Sequence, residues 1–232
     1  MSESDEIQNI AKRYERRVNI PANRYSRLNQ AVNAMTQERQ TALIQLFSSQ
    51  GINDLSDLTV LEVGCGSGAN LLELVQFGAE PENLAGNELL ADRLMAARRR
   101  LPQAIQLFAG DAAQLPLPDA SFDIVYQSTV FSSILDDDLQ TSLAHKMWNM
   151  VRPGGGILWY DFIFDNPRNP DVRGVKVSRI RELFPDGDIL IKKVTLAPPI
   201  TRCVVPIHPA LYGALNFFPF LRTHVLCYIK KP

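Results

Sequence analysis

Three alternating glycines, Gly64, Gly66 and Gly68, lie between an apolar run that contains Glu62 and a segment with a helical pattern. Glycine allows a sharp turn of the main chain, and without a Cβ its amides can be approached closely by a ligand. Glu62 would repel the pyrophosphate of a dinucleotide but suits a ligand with a cationic amino group. The third glycine also comes one residue earlier than in the dinucleotide pattern GxGxxG. The segment therefore predicts a site for a ligand that carries an amino group.

A second acid, Glu88, ends the short apolar run LAGNE and is followed by Leu89 and a helical pattern. A carboxylate at the end of a strand can accept hydrogen bonds from both hydroxyls of a ribose, and ionised acceptors form the stronger bonds. Taken alone, Glu88 would also suit the start of a helix, where an acid interacts favourably with the helix dipole. In the same way Asp111, in the run FAGDAAQLPLPDASFDIVYQS, could be an ordinary turn residue.

The four motifs LEVGCGSGAN, LAGNELL, GDAAQLPLPDASFDIV and MVRPGGGILWYD follow one another over about a hundred residues. In this order they resemble the class I S-adenosylmethionine-dependent methyltransferases, in particular the type 11-like enzymes that act on small molecules. The resemblance implies S-adenosylmethionine as cofactor, with the glycine turn at its methionine end, Glu88 at the ribose and Asp111 and Ala112 at the adenine. The cofactor-binding residues predicted in this way are Glu62, Gly64, Cys65, Gly66, Gly68, Glu88, Leu89, Asp111, Ala112 and Gln127.

Strand and helix patterns alternate from residue 59 to residue 164. This alternation predicts an α/β fold with a doubly wound, mostly parallel sheet and helices on both faces. The carboxyl ends of parallel strands meet at one edge, so Glu62, Glu88, Asp111 and Gln127 should converge on one cleft. The family resemblance implies seven strands in the order 3-2-1-4-5-7-6, with the last strand antiparallel.

Two further parts complete the predicted organisation. Residues 1–50 contain helical patterns at 4–17 and 36–50 and are predicted to form an N-terminal segment that covers the cofactor cleft, with Tyr14 and Tyr25 as candidate lid residues. Residues 51–232 are predicted to form the Rossmann-like core. Its last two strands are separated by a long segment with five prolines, at about 197–222, which is interpreted as a substrate-facing cap.

The acceptor side is less well defined by the sequence. Asp161 and His208 are candidate general bases for an acceptor that must lose a proton, and His224 is a weaker one. Arg168 and Arg173 lie in a basic region at 166–202, and arginine is well suited to a carboxylate or phosphate on the acceptor. The alternative is a solvated helix face and strand edge.

Composition excludes several classes of protein. The 232 residues carry a formal net charge of −1, so nucleic acid is not an expected partner. Cys65, Cys203 and Cys227 have no metal-binding spacing, and no metal is expected. The N-terminus is polar and no apolar run is long enough to span a bilayer, which favours the cytoplasm. The apolar late segment 209–221 leaves peripheral contact with a membrane open, and the oligomeric state is not determined.

The sequence therefore predicts methyl transfer from S-adenosylmethionine to a small molecule, with a lipid-linked, glycan or quinone-type precursor as the acceptor. One alternative is a non-catalytic subunit that binds the cofactor on the same fold. An NAD-dependent reductase is disfavoured by Glu62 and the glycine spacing. A DNA amino-methylating enzyme is disfavoured because Gln127, Ser128 and Thr129 stand where that class carries an Asn/Asp-Pro-Pro-Tyr run.

Overall fold

The structure is a computed structural model and describes residues 3–16, 21, 24–167 and 169–232. One seven-stranded sheet runs through it in the order β3-β2-β1-β4-β5-β7-β6. The first five strands are parallel, and β7 is antiparallel to both of its neighbours. The strands are β1 (Val60–Val63), β2 (Leu84–Glu88), β3 (Gln106–Ala109), β4 (Phe122–Ser128), β5 (Val151–Phe162), β6 (Asp188–Leu196) and β7 (Arg222–Lys230). The predicted fold class and strand order are confirmed.

Eight α-helices accompany the sheet within the described residues. They are α1 (Glu3–Glu15), α2 (Gln30–Ser49), α3 (Ala69–Gln76), α4 (Ala91–Arg100), α5 (Asp137–Met150), α6 (Val177–Leu183), α7 (Pro198–Val204) and α8 (Ala210–Asn216). Helix α2 begins earlier than its apolar pattern predicts because the side chain of Asn29 accepts a hydrogen bond from the Ala31 amide and caps the first turn. None of these helices is long and apolar enough to cross a membrane.

Two segments have features that the sequence patterns do not specify. Strand β5 already begins at Val151, because the run from Pro153 continues the strand and Gly154 donates a main-chain hydrogen bond to the Lys231 carbonyl. The segment between β6 and β7 contains α7 and α8. Helix α7 starts with two prolines, whose fixed φ suits the first turn of a helix.

Two hydrophobic layers cover the faces of the sheet. On one face α1, α5 and α6 pack around Trp159, Phe131 and Phe184. On the other face α2, α3 and α4 pack around residues such as Leu43 and Leu158. Leu158 and Trp159 are neighbours on β5 and belong to different layers, as expected when successive side chains of a strand point to opposite faces. The central strands are therefore buried on both sides, which fixes where their carboxyl ends lie.

Candidate functional site

The glycine turn after β1 has the backbone conformation that its composition predicts. Gly64, Gly66 and Gly68 have φ values of +65°, +58° and +80°, in the left-handed region that favours glycine. A Cβ on Gly64 would lie 2.5 Å from Cγ2 of Val130, and one on Gly66 would lie 2.5 Å from Nη2 of Arg93. Any larger residue at these two positions would therefore meet a side chain as well as backbone strain.

Glu88 holds the turn from the neighbouring strand. Its Oε2 accepts a hydrogen bond from the Gly66 amide at 2.9 Å, and its Oε1 accepts one from the Leu90 amide, also at 2.9 Å. Nη1 of Arg93 lies 3.9 Å from Oε2. Each carboxylate oxygen has two lone pairs, so both can accept a further hydrogen bond from a ligand hydroxyl. Glu88 thus joins the turn after β1 to the start of α4 and keeps acceptor capacity.

A cleft opens at the carboxyl ends of β1, β2 and β4, beneath α1 and beside α5. It is lined by six of the predicted site residues: Tyr14, Gly64, Glu88, Leu89, Asp111 and Ala112. Asp111 also accepts a hydrogen bond from the Ala113 amide, which caps a short 3₁₀ turn. The wall formed by the flanking helices is apolar and consists of Ile7, Ile10, Ile134, Leu139 and Leu143. The structure therefore brings the ends of three strands together around one concave site.

The other predicted cofactor residues lie behind this lining. Gly66 and Gly68 shape the turn. Cys65 is buried, its amide donates to the Asn87 carbonyl at 2.8 Å, and burial raises the pKa of its thiol to about 12. Gln127 is buried and its Oε1 accepts from the Val130 amide at 3.1 Å, which supports the bend after β4. These positions support the cleft without lining it.

Glu62 provides a test of whether the site fits the expected cofactor. Its Oε1 accepts a hydrogen bond from Nδ2 of Asn70 at 2.7 Å, whereas its Oε2 is buried with no hydrogen-bond partner in the described residues. Burial raises the pKa of this carboxyl to about 8. A ligand ammonium would supply the missing partner and favour the charged form. A cationic amino group is what S-adenosylmethionine carries, so the residues present fit the cofactor.

A buried polar cluster, the Arg39 cluster, lies on the opposite side of the turn. Arg39 pairs with Glu73 at 2.9 Å and donates to Oδ1 of Asn70 at 3.0 Å and to the hydroxyl of Tyr126 at 2.9 Å. Gln40 also donates to Glu73. Through Asn70 the cluster reaches Glu62. No sequence pattern predicts this cluster, because its members come from α2, α3 and β4 and have no common motif.

The candidate bases occupy different surroundings. Asp161 is fully buried, and its carboxylate accepts hydrogen bonds from the amides of Ser132 and Phe162. Burial raises its pKa to about 7. His208 is exposed between α7 and α8, and its Nδ1 accepts from the Ala210 amide. His224 stacks on Tyr160 with ring centroids 5.1 Å apart, and burial lowers its pKa to about 4. None of the three lines the cleft.

The candidate substrate-side residues are also dispersed. The Arg93 guanidinium lies over the Tyr14 ring, 4.9 Å from its centroid, and the Tyr14 hydroxyl is 3.3 Å from Oγ of Ser133. Tyr25 is exposed and does not line the cleft. Arg173 forms an ion pair with Asp137. Arg168 lies outside the described residues. Of the three that the structure describes, only Tyr14 is therefore placed at the cleft.

Several residues of the site were not predicted. Thr129 has a positive φ of +57° although it is not glycine, and Thr129 and Val130 line the cleft after β4. Backbone strain of this kind often occurs at functional sites. Helix α1 is fixed over the cleft by Arg13, which pairs with the buried Glu6 and donates to the Ser133 carbonyl at 3.1 Å. Glu6 and Arg13 are seven residues apart, about two helical turns, and this spacing was the available signal for the pair.

No group of three or more His, Cys, Asp or Glu residues that could hold a metal ion occurs in the described part of the chain. The polar groups of the cleft are instead carboxylates, main-chain amides and a guanidinium. These groups recognise hydroxyls, amino groups and ring nitrogens, which are the polar groups of a nucleoside and an amino acid.

Comparison with known proteins agrees with this geometry. Residues 60–155 match a family model described as a methyltransferase domain. Over 146 residues the chain is 30% identical to a sterol 24-C-methyltransferase of Neurospora crassa, a match that covers 61% of this chain and 37% of the relative. Over 120 residues it is 36% identical to a fatty-acid O-methyltransferase of Mycolicibacterium smegmatis, covering 51% of this chain and 42% of the relative. The chain thus spans less than half the length of these relatives.

The fold is shared with solved structures. The crystal structure of an S-adenosylmethionine-dependent methyltransferase from Thermotoga maritima has a TM-score of 0.64 to this chain and is 15% identical; the match covers 95% of this chain and 99% of the other. At this identity the likeness concerns the fold. Together with the matched domain it agrees with the methyltransferase class and the cofactor that the four motifs predict. Residues 60–155 thus match a methyltransferase domain, in a chain that shares its fold with a solved S-adenosylmethionine-dependent methyltransferase.

Proposed function

We propose that this protein transfers a methyl group from S-adenosylmethionine to a small-molecule acceptor with an apolar part. The observation that carries the proposal is the cleft at the carboxyl ends of β1, β2 and β4, where Gly64, Glu88, Asp111 and Ala112 meet. These are the positions that the family resemblance assigns to the methionine, ribose and adenine parts of the cofactor. The cofactor supplies an activated methyl group on a sulfonium, which needs no further activation by the protein.

The chain's own residues would act mainly by positioning. In the proposed arrangement Glu88 accepts hydrogen bonds from the ribose hydroxyls, while the hydrogen bonds that it accepts from the Gly66 and Leu90 amides keep it in place. Glu62 accepts a hydrogen bond from the amino group of the cofactor, and Asp111 and Ala112 contact the adenine. Correct orientation can account for roughly 7–11 kcal/mol of barrier reduction in well-aligned reactions. A fixed carboxylate and a preformed turn reduce the reorganisation required at binding.

An acceptor with an apolar part is favoured by two observations. The helical wall of the cleft is apolar, with Ile7 and Ile10 from α1 and Leu139 and Leu143 from α5. The two relatives described above are named for a sterol and a fatty acid. We therefore place lipid-linked and quinone-type acceptors ahead of glycans. Tyr14, which lines the cleft under α1, is the proposed substrate-side contact, whereas Tyr25, Arg168 and Arg173 have no comparable support.

Asp161 is the better of the two predicted bases. Its raised pKa, about 7, suits proton exchange near neutral pH. However, its carboxylate already accepts main-chain hydrogen bonds from Ser132, in the segment that borders the cleft, and from Phe162 of its own strand. We propose that Asp161 positions this segment and, for an acceptor that reaches it, takes up the proton. His208 is exposed and hydrogen-bonded within its own turn, so its role as a base is the weaker proposal.

The decisive experiment separates binding from turnover. Titration calorimetry with S-adenosylhomocysteine should show one site per chain. The Glu88→Gln variant should bind S-adenosylhomocysteine more weakly. Release of S-adenosylhomocysteine from S-adenosylmethionine is then measured with fatty acids, sterols, quinone precursors and glycans as acceptors. If the protein binds the cofactor but no acceptor class leads to release of S-adenosylhomocysteine, the alternative of a non-catalytic subunit is favoured. No binding of either cofactor form would contradict both functions.

A further inference from the structure

The segment between β6 and β7 exposes an apolar surface that neither the cofactor cleft nor the core explains. Three of its side chains, Ile207, Phe217 and Phe220, are 75%, 77% and 74% exposed. The ring centroids of Phe217 and Phe218 are 5.8 Å apart, and those of Phe218 and Phe220 are 5.6 Å apart. Single exposed apolar residues are common in proteins, but a contiguous group indicates a contact with another molecule. We call this group, with Leu211, the cap surface.

Helix α8 has a buried side and an exposed apolar side. Its inner side carries Tyr212, which is buried in a small cluster with Leu196, Val205 and Ala31 of α2. Its outer side carries Leu211 and Ala214 and continues into Phe217, at the three-residue spacing of one helix face. Asn216 ties the end of α8 to Glu38 of α2 by a hydrogen bond of 3.3 Å. The helix is therefore anchored on one side and presents an apolar face on the other.

The sequence of the cap surface is uncharged and is bordered by two arginines. From Cys203 to Leu221 it contains no Asp, Glu, Lys or Arg, with Arg202 before this run and Arg222 after it. From Ile189 to the C-terminus the sequence contains no acid, and its last two cations, Lys230 and Lys231, lie at the far end of β7 from the cap. The acid that contacts α8 is Glu38 of α2, through its hydrogen bond with Asn216. An apolar surface bordered by arginines is complementary to an apolar layer beneath an anionic surface.

The start of α2 extends the same pattern. Ala31 packs against Val205 and Tyr212 of the cap, and the residues just before it include Tyr25 and Leu28, which are 66% and 96% exposed. From Arg24 to Gln37 the sequence has two arginines and no acid. Two segments that are far apart in sequence thus combine exposed apolar residues with positive charge at neighbouring places in the fold.

We propose that the cap surface docks on a bilayer that contains anionic lipids. Aromatic and aliphatic side chains would enter the interface between headgroups and acyl chains, and Arg202 and its basic neighbours would contact the headgroups. A seven-residue helix lies in such an interface and does not cross it. A second copy of the chain is the less suitable partner, because two copies would bring the same cations together without any acid from these segments to compensate.

The position of the cap surface relative to the cleft bears on how a lipid acceptor could reach the cleft. Strands β5 and β6 both run antiparallel to β7, so β6 ends at the edge of the sheet where β4 and β5 end. The cap surface and the cofactor cleft therefore belong to the same edge. A bilayer bound at the cap would lie on the side of the molecule from which a lipid acceptor could enter. The docking itself does not rest on the proposed methyl transfer.

The test is co-sedimentation with vesicles of phosphatidylcholine alone and vesicles that also contain phosphatidylglycerol, at low and high salt. The protein should bind the anionic vesicles and dissociate from them as salt rises. The double variant Phe217→Ser, Phe220→Ser should weaken binding at least about tenfold. Arg202→Gln should weaken it about fivefold. Matched controls are Ile44→Ser with Met95→Ser, which change exposed apolar residues on α2 and α4, and Arg98→Gln.

Three results would overturn the proposal. One is the absence of binding to anionic vesicles. Another is binding that is equally weakened by the control variants. The third is self-association in sedimentation velocity, without lipid, that the Phe217→Ser, Phe220→Ser variant abolishes, because the surface would then join two copies. S-adenosylhomocysteine binding is measured on every variant. Since none of the changed residues lines the cleft, retained cofactor binding shows that the proteins are folded and keeps this test independent of the proposed function.

Discussion

Two polar clusters flank the glycine turn, and they differ in how their charges are satisfied. Glu88 faces the cleft and accepts hydrogen bonds from the Gly66 and Leu90 amides, so its partners belong to the loops that bend around a ligand. Glu73 is buried behind the turn and pairs with Arg39, whose other hydrogen bonds go to Asn70 and Tyr126. The first cluster can still accept hydrogen bonds from a ligand, whereas the ion pair of the second cluster holds α2 against the core.

The difference shows why charge and burial alone do not identify a site. Both carboxylates are only 4% exposed, and both lie near the carboxyl edge of the sheet. What separates them is the nature of their partners. A buried arginine neutralises the charge of Glu73. The main-chain amides that bind Glu88 leave its charge without a strong counter-ion. We therefore expect mutations in the Arg39 cluster to change stability and mutations around Glu88 to change cofactor affinity.

The largest expected effect is on stability. Arg39→Ala should lower the free energy of unfolding by about 3–5 kcal/mol, because it leaves the carboxylate of Glu73 buried without its counter-ion. Urea unfolding of the free protein measures this. The control is Arg152→Ala, which breaks the more exposed pair with Asp123 and should cost about 0–1 kcal/mol. Equal losses for the two variants would contradict the distinction. Arg39→Lys should lose less than Arg39→Ala because the cation remains.

The next effect concerns the turn itself. Gly64→Val should weaken S-adenosylhomocysteine binding at least about thirtyfold, because strain of about 1–3 kcal/mol adds to the clash of the new side chain with Val130. Calorimetry measures the affinity. Gly78→Ala is the matched control, since Gly78 also has a positive φ, +99°, but nothing lies within 4 Å of its added Cβ. It should lose stability while keeping cofactor affinity. A loss of affinity in both variants would point to general unfolding.

Glu88→Gln should have a smaller effect on the same measurement. Glutamine has one acceptor oxygen, so it cannot serve the Gly66 and Leu90 amides together and also accept two ribose hydroxyls. We expect about a tenfold weaker affinity for S-adenosylhomocysteine and a loss of about 1–3 kcal/mol in unfolding free energy, because one of the two amides loses its acceptor. Asp92→Asn, an exposed acid in the first turn of α4, is the control. A Glu88→Gln variant that loses stability but not affinity would place Glu88 with Glu73 as a structural residue.

The last prediction is a dependence of stability on pH. Burial raises the pKa of Glu62 to about 8 and that of Asp161 to about 7, above the values of these groups in an unfolded chain. In that window the folded state holds more protons, so the free energy of unfolding should fall as pH rises from about 4 to about 8. The slope is at most about 1.4 kcal/mol per pH unit for each group. It is measured by urea unfolding across this range.

Glu62→Gln should flatten the upper part of this decline, between pH 7 and 8, where Glu62 exchanges more protons than Asp161 does. Glu80→Gln, at an exposed position, should leave the slope as it is in the parent protein. A parent protein whose stability is flat over the whole range would show that neither buried acid is protonated, and Glu62 would then be a permanent anion beside the glycine turn.

Much of the cofactor side could be predicted because its chemistry depends on local sequence. Alternating glycines need no distant partner to adopt positive φ values, and an acid at the end of a strand is placed by the strand itself. The cleft lining of Gly64, Glu88, Leu89, Asp111 and Ala112 was therefore expected. Arg39, Arg93 and Thr129 were not, since their roles arise from contacts between elements that are far apart in the chain. Among the described acceptor-side candidates, Tyr25, Asp161, Arg173 and His208 do not line the cleft, and their positions also depend on packing.

Residue types and short-range spacing are enough to predict the alternation of strands and helices, the glycine turn, and the acids Glu62 and Glu88 in β1 and β2. Which acids face a cleft and which are paired inside depends on which helix packs against which strand end, and this is seen only in the folded protein. The folded protein also shows that α7 and α8 form in the cap and turn Phe217 and Phe220 outward. Side-chain chemistry is local, whereas exposure is a property of the whole packed chain.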